Sequence, residues 1–505
     1  MGRKQLNIYF TSDLHGYMYP TDYKDPEEKN IGLFKCASRF QKDGNTLVID
    51  GGDILQGSAF AAFCHDSLGS GQPIAEIMNR CRYDYVTLGN HDFNYGTAYL
   101  ETYLHTLNAQ CVCQNIRGAD GVIRYPYQLR TMESGLRVGI VGIVTDHVNI
   151  WEKPEHIADI SITDPFTAAR EALEALRGMC DFTVCIYHGG FERDIETGRL
   201  LSSSTENIAY RLCSELDFDL LLTGHQHMTV TGRMLHGTYV VQSTDRGEEY
   251  QHIQVTVDGA EKQITGQTIP AGGRCNPSLL EEFANEERGA QLWLEEFVGH
   301  LEYALLPASR VEMAAKGSCI ANLLNQVQLD CSGAQLSAVS LANEIAGFPQ
   351  IVRRRDILTT YPYTNTLVVL QVTGTILRQA IERSAEYFDV DEKGALTVSD
   401  RFLKPKIEHY NYDYFAGISY VIDVSQPIGS RVTKLTRHGK SVRDEDVFTI
   451  CMNNYRSSGA GGYSVYQQCP VIQEINTEMV DLIMAYFEKT PKIECSSRPP
   501  FQVIL

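Results

Sequence analysis

A chain of 505 residues is too long for one hydrophobic core and requires at least two domains. Hydrophobic residues make up 43% and charged residues 21%, as in an ordinary globular protein, and no apolar run approaches the roughly 20 residues that span a bilayer. A formal net charge of −19 argues against a protein that grips a nucleic-acid duplex, although small anions can still bind where cations reverse the sign locally.

The amino terminus, Met1-Gly2-Arg3-Lys4-Gln5-Leu6-Asn7, runs into a strand and shows no apolar secretion segment. A cytoplasmic location, or an extracytoplasmic one if an export segment has been trimmed, and no membrane partner are expected, with the 14 cysteines acting as small buried hydrophobes in a reducing compartment. Cys111 and Cys113 form the one close pair, and their spacing matches no zinc knuckle. Short apolar runs at Leu6 to Phe10, Thr46 to Ile49, Tyr85 to Leu88, Val138 to Val144, Phe182 to Tyr187 and Leu220 to Leu222 read as buried strands. Helix-like stretches separate several of them, such as Asp164 to Met179, and this alternation predicts an α/β domain. The run from Gly237 to Val257 looks like a pair of antiparallel hairpin strands. Pro270-Ala271-Gly272-Gly273 and Asn276-Pro277 then punctuate the chain. A single long helix is expected from Ser278 to Leu305, ended by Pro307, as a linker between domains. Residues 1–275 thus form one domain, 276–307 the linker and 308–505 a second, α+β unit.

Five motifs in the first half carry chemistry. They are Asp13-Leu14-His15, Gly51-Gly52-Asp53, Gly89-Asn90-His91-Asp92, His188-Gly189-Gly190 and Gly224-His225-Gln226-His227. Each lies just past an expected strand, where the carboxyl ends of an α/β sheet open on a crevice. Oxygen and imidazole donors without thiolates suit manganese, zinc or iron in a reactive site rather than a structural zinc. A lone Asp-x-His is usually an ordinary polar pair, but five such motifs at five strand ends are not explained by folding alone.

In this order the motifs resemble the calcineurin-like metallophosphoesterases. The whole chain resembles the 5′-nucleotidase family within them, in which a helix joins a four-layer α/β/β/α sandwich to a nucleoside-recognising domain. The resemblance implies two divalent metal ions, Mn2+ or Zn2+, that activate a water. Asp13, His15 and His227 match the ligands of one metal, Asn90, His188 and His225 those of the other, and Asp53 the carboxylate that bridges both. His91 matches a histidine that faces the phosphoryl group without ligating metal. In 5′-nucleotidases proper an acid stands three positions further on; here that position is Asn94, so Asp92 is the alternative source of charge beside His91. The asparagine pattern resembles the branch that hydrolyses 2′,3′-cyclic nucleotides and 3′-nucleotides.

The second half is similar to the same branch. Tyr410-Asn411-Tyr412-Asp413-Tyr414-Phe415-Ala416-Gly417 and Asn453-Asn454-Tyr455-Arg456 resemble its two base-binding segments. Tyr412 and Tyr455 match the rings that sandwich the base, and Arg456 is a further substrate contact. An arginine of the 5′-nucleotidases is missing after Asn343, and Gly461 replaces their acid in the second loop. Arg353, Arg354 and Arg355 read as a solvated charge run. The resemblance therefore implies an enzyme acting on small nucleotides. A 5′-nucleotidase or nucleotide-sugar hydrolase is the first alternative, and a non-catalytic nucleotide-binding protein is an alternative of another class. The native metal, base preference and oligomeric state stay open.

Overall fold

Leu6, Ile8 and Phe10 alternate along their strand and face one core, so the run becomes the strand Lys4–Thr11 near the middle of a six-stranded sheet. The computed structural model describes residues 3–25, 27–201, 205–363, 365–404, 406–475, 477–490, 493 and 500–505. Strands Thr46–Asp50, Tyr85–Val86 and Gln110–Cys111 extend the sheet in parallel on one side. Strands Glu249–Asp258 and Glu261–Pro270 extend it antiparallel on the other.

A second six-stranded sheet runs in the order Val230–Leu235, Thr238–Gln242, Leu220–Thr223, Phe182–His188, Arg137–Val144, Gln128–Thr131. Leu6, Ile8 and Ile49 of the first sheet share a core with Ile140, Ile186 and Leu222 of the second. The other face of the second sheet, through Val141, Cys185 and Leu221, packs with Phe166, Ala169, Leu173 and Leu212 of helices Pro165–Leu176 and Ala209–Glu215. Helices Leu33–Ala37, Ala59–Asp66, Gln72–Arg80 and Gly96–Thr106 lie in the crossovers between parallel strands of the first sheet. The expected helix over Asp164 to Met179 is Pro165–Leu176, and Asp164 caps it by accepting the Thr167 N–H at 2.6 Å.

Two expectations are corrected. Residues Gly237 to Val257 are not a hairpin. Strand Thr238–Gln242 belongs to the second sheet and Glu249–Asp258 to the first, so the chain crosses between sheets in the segment from Ser243 to Glu248. The hairpin partners are Val230–Leu235 for the one and Glu261–Pro270 for the other. Nor is there one helix from Ser278 to Leu305. Helix Pro277–Glu282 stops at Phe283, whose carbonyl accepts the Tyr19 hydroxyl at 2.8 Å, and a second helix, Ala284–Leu294, follows. Phe297–His300 is then a strand, paired with Ile351–Arg353.

The chain divides into two compact units, Met1–Leu292 and Trp293–Leu505. The second is α+β. Its five-stranded sheet is ordered Asp413–Ala416, Leu336–Ser340, Val447–Asn453, Leu367–Thr373, Val471–Ile475. Helices Cys319–Ser332, Gly374–Ala385 and Met479–Lys489 share its core. The Arg353–Arg355 run is tied down: Arg353 and Arg355 pair with Glu295 at 3.0 and 2.7 Å, and Arg354 with Glu296 at 2.7 Å. No helix among the described residues is long and apolar enough to cross a membrane.

Candidate metal centre and nucleotide site

The sandwich delivers every expected ligand at or just past the carboxyl end of a strand. Asp13 and His15 follow Lys4–Thr11, and Asp53 follows Thr46–Asp50. Asn90 comes after Tyr85–Val86, His188 ends Phe182–His188, and His225 and His227 follow Leu220–Thr223. Among the described residues, ten non-glycine residues have positive φ, and five of them are Asp13, His15, Asp53, His225 and His227. Such backbone costs on the order of 1–3 kcal/mol per residue and persists only where the surroundings over-determine it. The loops also press together. A Cβ on Gly89 would come within 2.1 Å of Asp53 Oδ1, which only glycine allows.

Asp13, His15 and His227 each bring a donor atom within 4.8 Å of the others, and so do Asp53, His188 and His225. His15 Nε2 and His227 Nε2 are 3.1 Å apart, and His227 Nε2 is 3.3 Å from Asp13 Oδ1. Asp53 Oδ2 lies 3.1 Å from His188 Nε2 and 4.0 Å from His15 Nε2, so this oxygen stands between the two groups. The far nitrogens are held by carbonyls: His15 Nδ1 donates to Gln56 at 2.8 Å and His188 Nδ1 to Gly51 at 2.7 Å. That fixes each ring with its bare Nε2 turned inward. Buried Asp53 Oδ2, Asn90 Oδ1 and His188 Nε2 have no hydrogen-bond partner, the signature of atoms aimed at something other than protein. Burial alone would push the Asp53 carboxyl up, but the imidazoles of His188 and His91 hold it well below the usual range. Burial would likewise drive His188 down, yet Asp53 and Asp13 raise it to about 10. The pocket demands positive charge at this point, which a proton or a cation supplies.

The turn Asn90–Phe93 carries His91. Its N–H donates to Asp53 Oδ1 at 2.7 Å, and its ring Nδ1 lies 2.7 Å from Asn94 Oδ1. Asp92, expected among the catalytic residues, has another task. It is buried, and its carboxylate accepts the N–H groups of Asp53, Ile54, Leu55 and Gly89 at 2.9, 2.8, 3.0 and 2.8 Å. With its oxygens taken by backbone, it ties the Asp53 loop to the His91 turn and does not serve the imidazole.

In the second unit the expected substrate residues part company. Tyr412 is 2% exposed, packs on Tyr387 and Tyr414, and donates its hydroxyl to the Ala314 carbonyl at 3.0 Å. Arg456 is equally buried. Its guanidinium is spent on Asp413 at 2.9 Å, the Ala460 carbonyl at 2.7 Å and the Tyr410 carbonyl at 2.8 Å, so it organises the loop. Tyr455 and Tyr410 are half-buried. The Arg456 guanidinium sits 5.8 Å from the Tyr455 ring and the Lys406 ammonium 5.9 Å from the Tyr410 ring. A side chain at position 461 would displace Asn411 and Arg456, because a Cβ there would meet them at 2.1 and 2.2 Å. Arg310 donates to the Asn343 carbonyl; burial pushes its pKa down, and Tyr414, Tyr387, Tyr363 and Glu344 are its electrostatic neighbours.

A family model described as calcineurin-like phosphoesterase matches residues 6–229, and one described as 5′-nucleotidase, C-terminal domain, matches residues 298–468. The crystal structure of a putative 5′-nucleotidase from Staphylococcus aureus is 32% identical, with a TM-score of 0.93 over 99% of this chain and 100% of that one. The chain belongs to the 5′-nucleotidase family of calcineurin-like metallophosphoesterases. A trifunctional nucleotide phosphoesterase from Bacillus subtilis is 25% identical over 95% of this chain, which spans only 38% of that protein's length. A 2′,3′-cyclic-nucleotide 2′-phosphodiesterase/3′-nucleotidase from Yersinia enterocolitica is 24% identical over 90% of this chain and 80% of that protein. Family membership makes the chain a phosphoesterase and implies divalent metals, and the orphaned inward atoms of Asp53, Asn90 and His188 fit that requirement.

Sequence reasoning passed over three residues of this phosphoesterase. Glu206 faces His225 Nε2 at 2.8 Å, Glu152 accepts from Asn94, and Arg310 stands by the second-unit tyrosines. None sits in a motif; each is brought in from a distant segment.

Proposed function

We propose that this phosphoesterase opens 2′,3′-cyclic nucleotides and then removes phosphate from the 3′-nucleotides formed. Asn94 carries the reading: its amide oxygen lies 2.7 Å from His91 Nδ1, at the position where 5′-nucleotidases proper carry an acid. The Tyr410 to Asp423 segment and the likeness to the Yersinia enzyme support it.

Asp13, His15 and His227 would hold one metal, Asn90, His188 and His225 the other, with Asp53 between them. Two divalent cations, manganese or zinc, supply Lewis acidity and lower the pKa of a water when bound. The chain's own residues do the rest. His91 stabilises charge on the phosphoryl group or on the departing ribose oxygen. Asn94 orients its ring, and Asp92 fixes the turn that carries it. In the second unit Tyr455 and Tyr410, in place of Tyr412, hold the base, which any π-face allows. Arg310 offers positive charge to an anionic part of the substrate.

The likeness to the Staphylococcus structure favours a second reading, a 5′-nucleotidase. A substrate panel with manganese decides. kcat/KM should be higher for 2′,3′-cyclic AMP and 3′-AMP than for 5′-AMP. If 5′-AMP equals or exceeds the cyclic substrate, the second reading stands.

A further inference from the structure

We propose that Glu152 is a positioning residue for the reaction: acting through Asn94, it decides which nitrogen of His91 carries the proton. The inference rests on reading His91 as the histidine that faces the phosphoryl group.

Four side chains form one line. His91 Nδ1 lies 2.7 Å from Asn94 Oδ1, Asn94 Nδ2 donates to Glu152 Oε2 at 2.7 Å, and Glu152 Oε1 faces His156 Nδ1 at 2.8 Å. The same Oε1 accepts the Lys153 N–H at 2.8 Å. A carboxamide is a donor at one end and an acceptor at the other, and its neighbours decide which end points where. A carboxylate only accepts. Glu152 therefore draws the amide NH2 of Asn94 to itself, which turns the amide oxygen to His91. An oxygen can only accept, so Nδ1 of His91 must carry its hydrogen. In the neutral ring Nε2 is then bare, on the far side of the imidazole. Without Glu152, nothing in this line favours one amide orientation over the other.

The carboxylate is built in place. The Glu152 side chain is 6% exposed. Its N–H caps the helical turn Val148–Trp151 by donating to the Val148 carbonyl at 2.9 Å, and the following turn Pro154–Ile157 returns His156 to the same carboxylate. His156 in turn lies against Gly96, the first residue of the helix Gly96–Thr106 that follows the His91 turn; a Cβ there would be 3.6 Å from His156 Cδ2. Thr97 donates to Asp159 at 2.7 Å as a second tie. The segment bearing Glu152 is thus docked on the helix next to His91. The usual acid beside the histidine is absent here, and its orienting role passes through an amide to a carboxylate one residue further out.

The arrangement can be tested by exchanging amide and carboxylate. Asn94→Asp sets two carboxylates face to face. Glu152→Gln, with its oxygen kept by Lys153 N–H and His156, turns its NH2 to Asn94 and so draws the Asn94 oxygen away from His91. The double variant N94D/E152Q restores every donor to an acceptor: the carboxylate now at position 94 would accept from His91 and from the glutamine NH2, while the glutamine oxygen keeps Lys153 N–H and His156. Each single variant should lower kcat on an aryl phosphodiester by about 10-fold, with metal content unchanged, and the double variant should recover most of the loss. The second readout is independent of turnover. In zinc-loaded protein with 15N-labelled histidine, His91 signals are identified by their loss in His91→Ala. Wild type and the double variant should show the Nδ1–H tautomer, and Glu152→Gln a shift toward the Nε2–H tautomer. His156→Ala removes a structural tie but keeps the carboxylate; it should lower Tm and leave the tautomer alone. A single Nδ1–H tautomer with wild-type kcat in Glu152→Gln overturns the proposal, and so does a double variant no better than the worse single one. If His91→Ala itself keeps full kcat, the reading of His91 has failed, and the tautomer measurement still judges Glu152.

Discussion

Asp53 and His91 touch through one hydrogen bond, yet their removal should have different consequences. Asp53 Oδ2 stands between two donor groups, 3.1 Å from His188 Nε2 and 4.0 Å from His15 Nε2. Asp53→Asn removes a charge that both cations would share, so metal content by elemental analysis should fall at both positions and turnover should vanish. His91 donates its backbone N–H to Asp53, and its ring Nδ1 is turned to Asn94. His91→Ala should therefore keep its metal and lose about 10²–10³ in kcat. A metal-free His91→Ala protein would make the histidine a ligand. The two loop residues of the second unit separate in the same manner. Tyr455→Ala should raise KM for nucleotides by the equivalent of about 1–3 kcal/mol and spare a small aryl phosphodiester. Arg456→Met strands the buried Asp413 carboxylate, 2.9 Å from the lost guanidinium. Removing one partner of a buried pair costs about 3–5 kcal/mol, so this variant should fail first in urea unfolding, with affinity lost only as a result.

At the scale of the element, what could be seen in advance depended on whether the information was local. Ligand loops carry theirs within a few residues: a buried run, a glycine, then an acid or histidine, as in Gly51-Gly52-Asp53. Asp92 was misplaced because an acid next to a histidine reads the same whether it faces the ring or four backbone N–H groups. Tyr410 and Tyr412 lie on either side of a step from the 3₁₀ turn His409–Asn411 into the strand Asp413–Ala416, and spacing does not say which ring stays outside. Strands Thr238–Gln242 and Glu249–Asp258 looked like partners, but the choice of sheet is made by residues far along the chain. The turn His409–Asn411 also makes a pH prediction. Burial and the nearby Arg310 guanidinium hold His409 down to about 4. A histidine in the unfolded chain takes its proton near about pH 6.5. Between about pH 6.5 and about pH 4 the unfolded chain thus binds the extra proton, and stability falls as pH drops through that window. Urea midpoints across this range should decline less steeply for His409→Gln; parallel curves would remove this turn from the pH dependence.

For the whole molecule, the ligands are divided between two sheets of the first unit, and the second unit contributes no candidate ligand among the described residues. Chelation should therefore act regionally. Hydrogen exchange should speed up in the loops around Asp13, Asp53, Asn90, His188 and His225, and stay unchanged from Trp293 onward. Resupplying metal at about 100 times its Kd should stabilise by about 2.7 kcal/mol, read as a rise in Tm. Uniform deprotection of both units would contradict this division.

The order of the ligands along the chain also sets a timetable for biosynthesis. The Asp13 carboxylate accepts the His225 N–H at 2.9 Å, a contact across 212 positions. A nascent chain exposes Asp13, His15, Asp53 and Asn90 first, an oxygen-rich half-site, while the histidines at 188, 225 and 227 are still inside the ribosome. The strand Lys4–Thr11 lacks one of its neighbours until Glu249–Asp258 has emerged. Metal acquisition thus belongs to the end of this unit's synthesis, and a polypeptide truncated before His225 should retain no stoichiometric metal on elemental analysis, even with metal added.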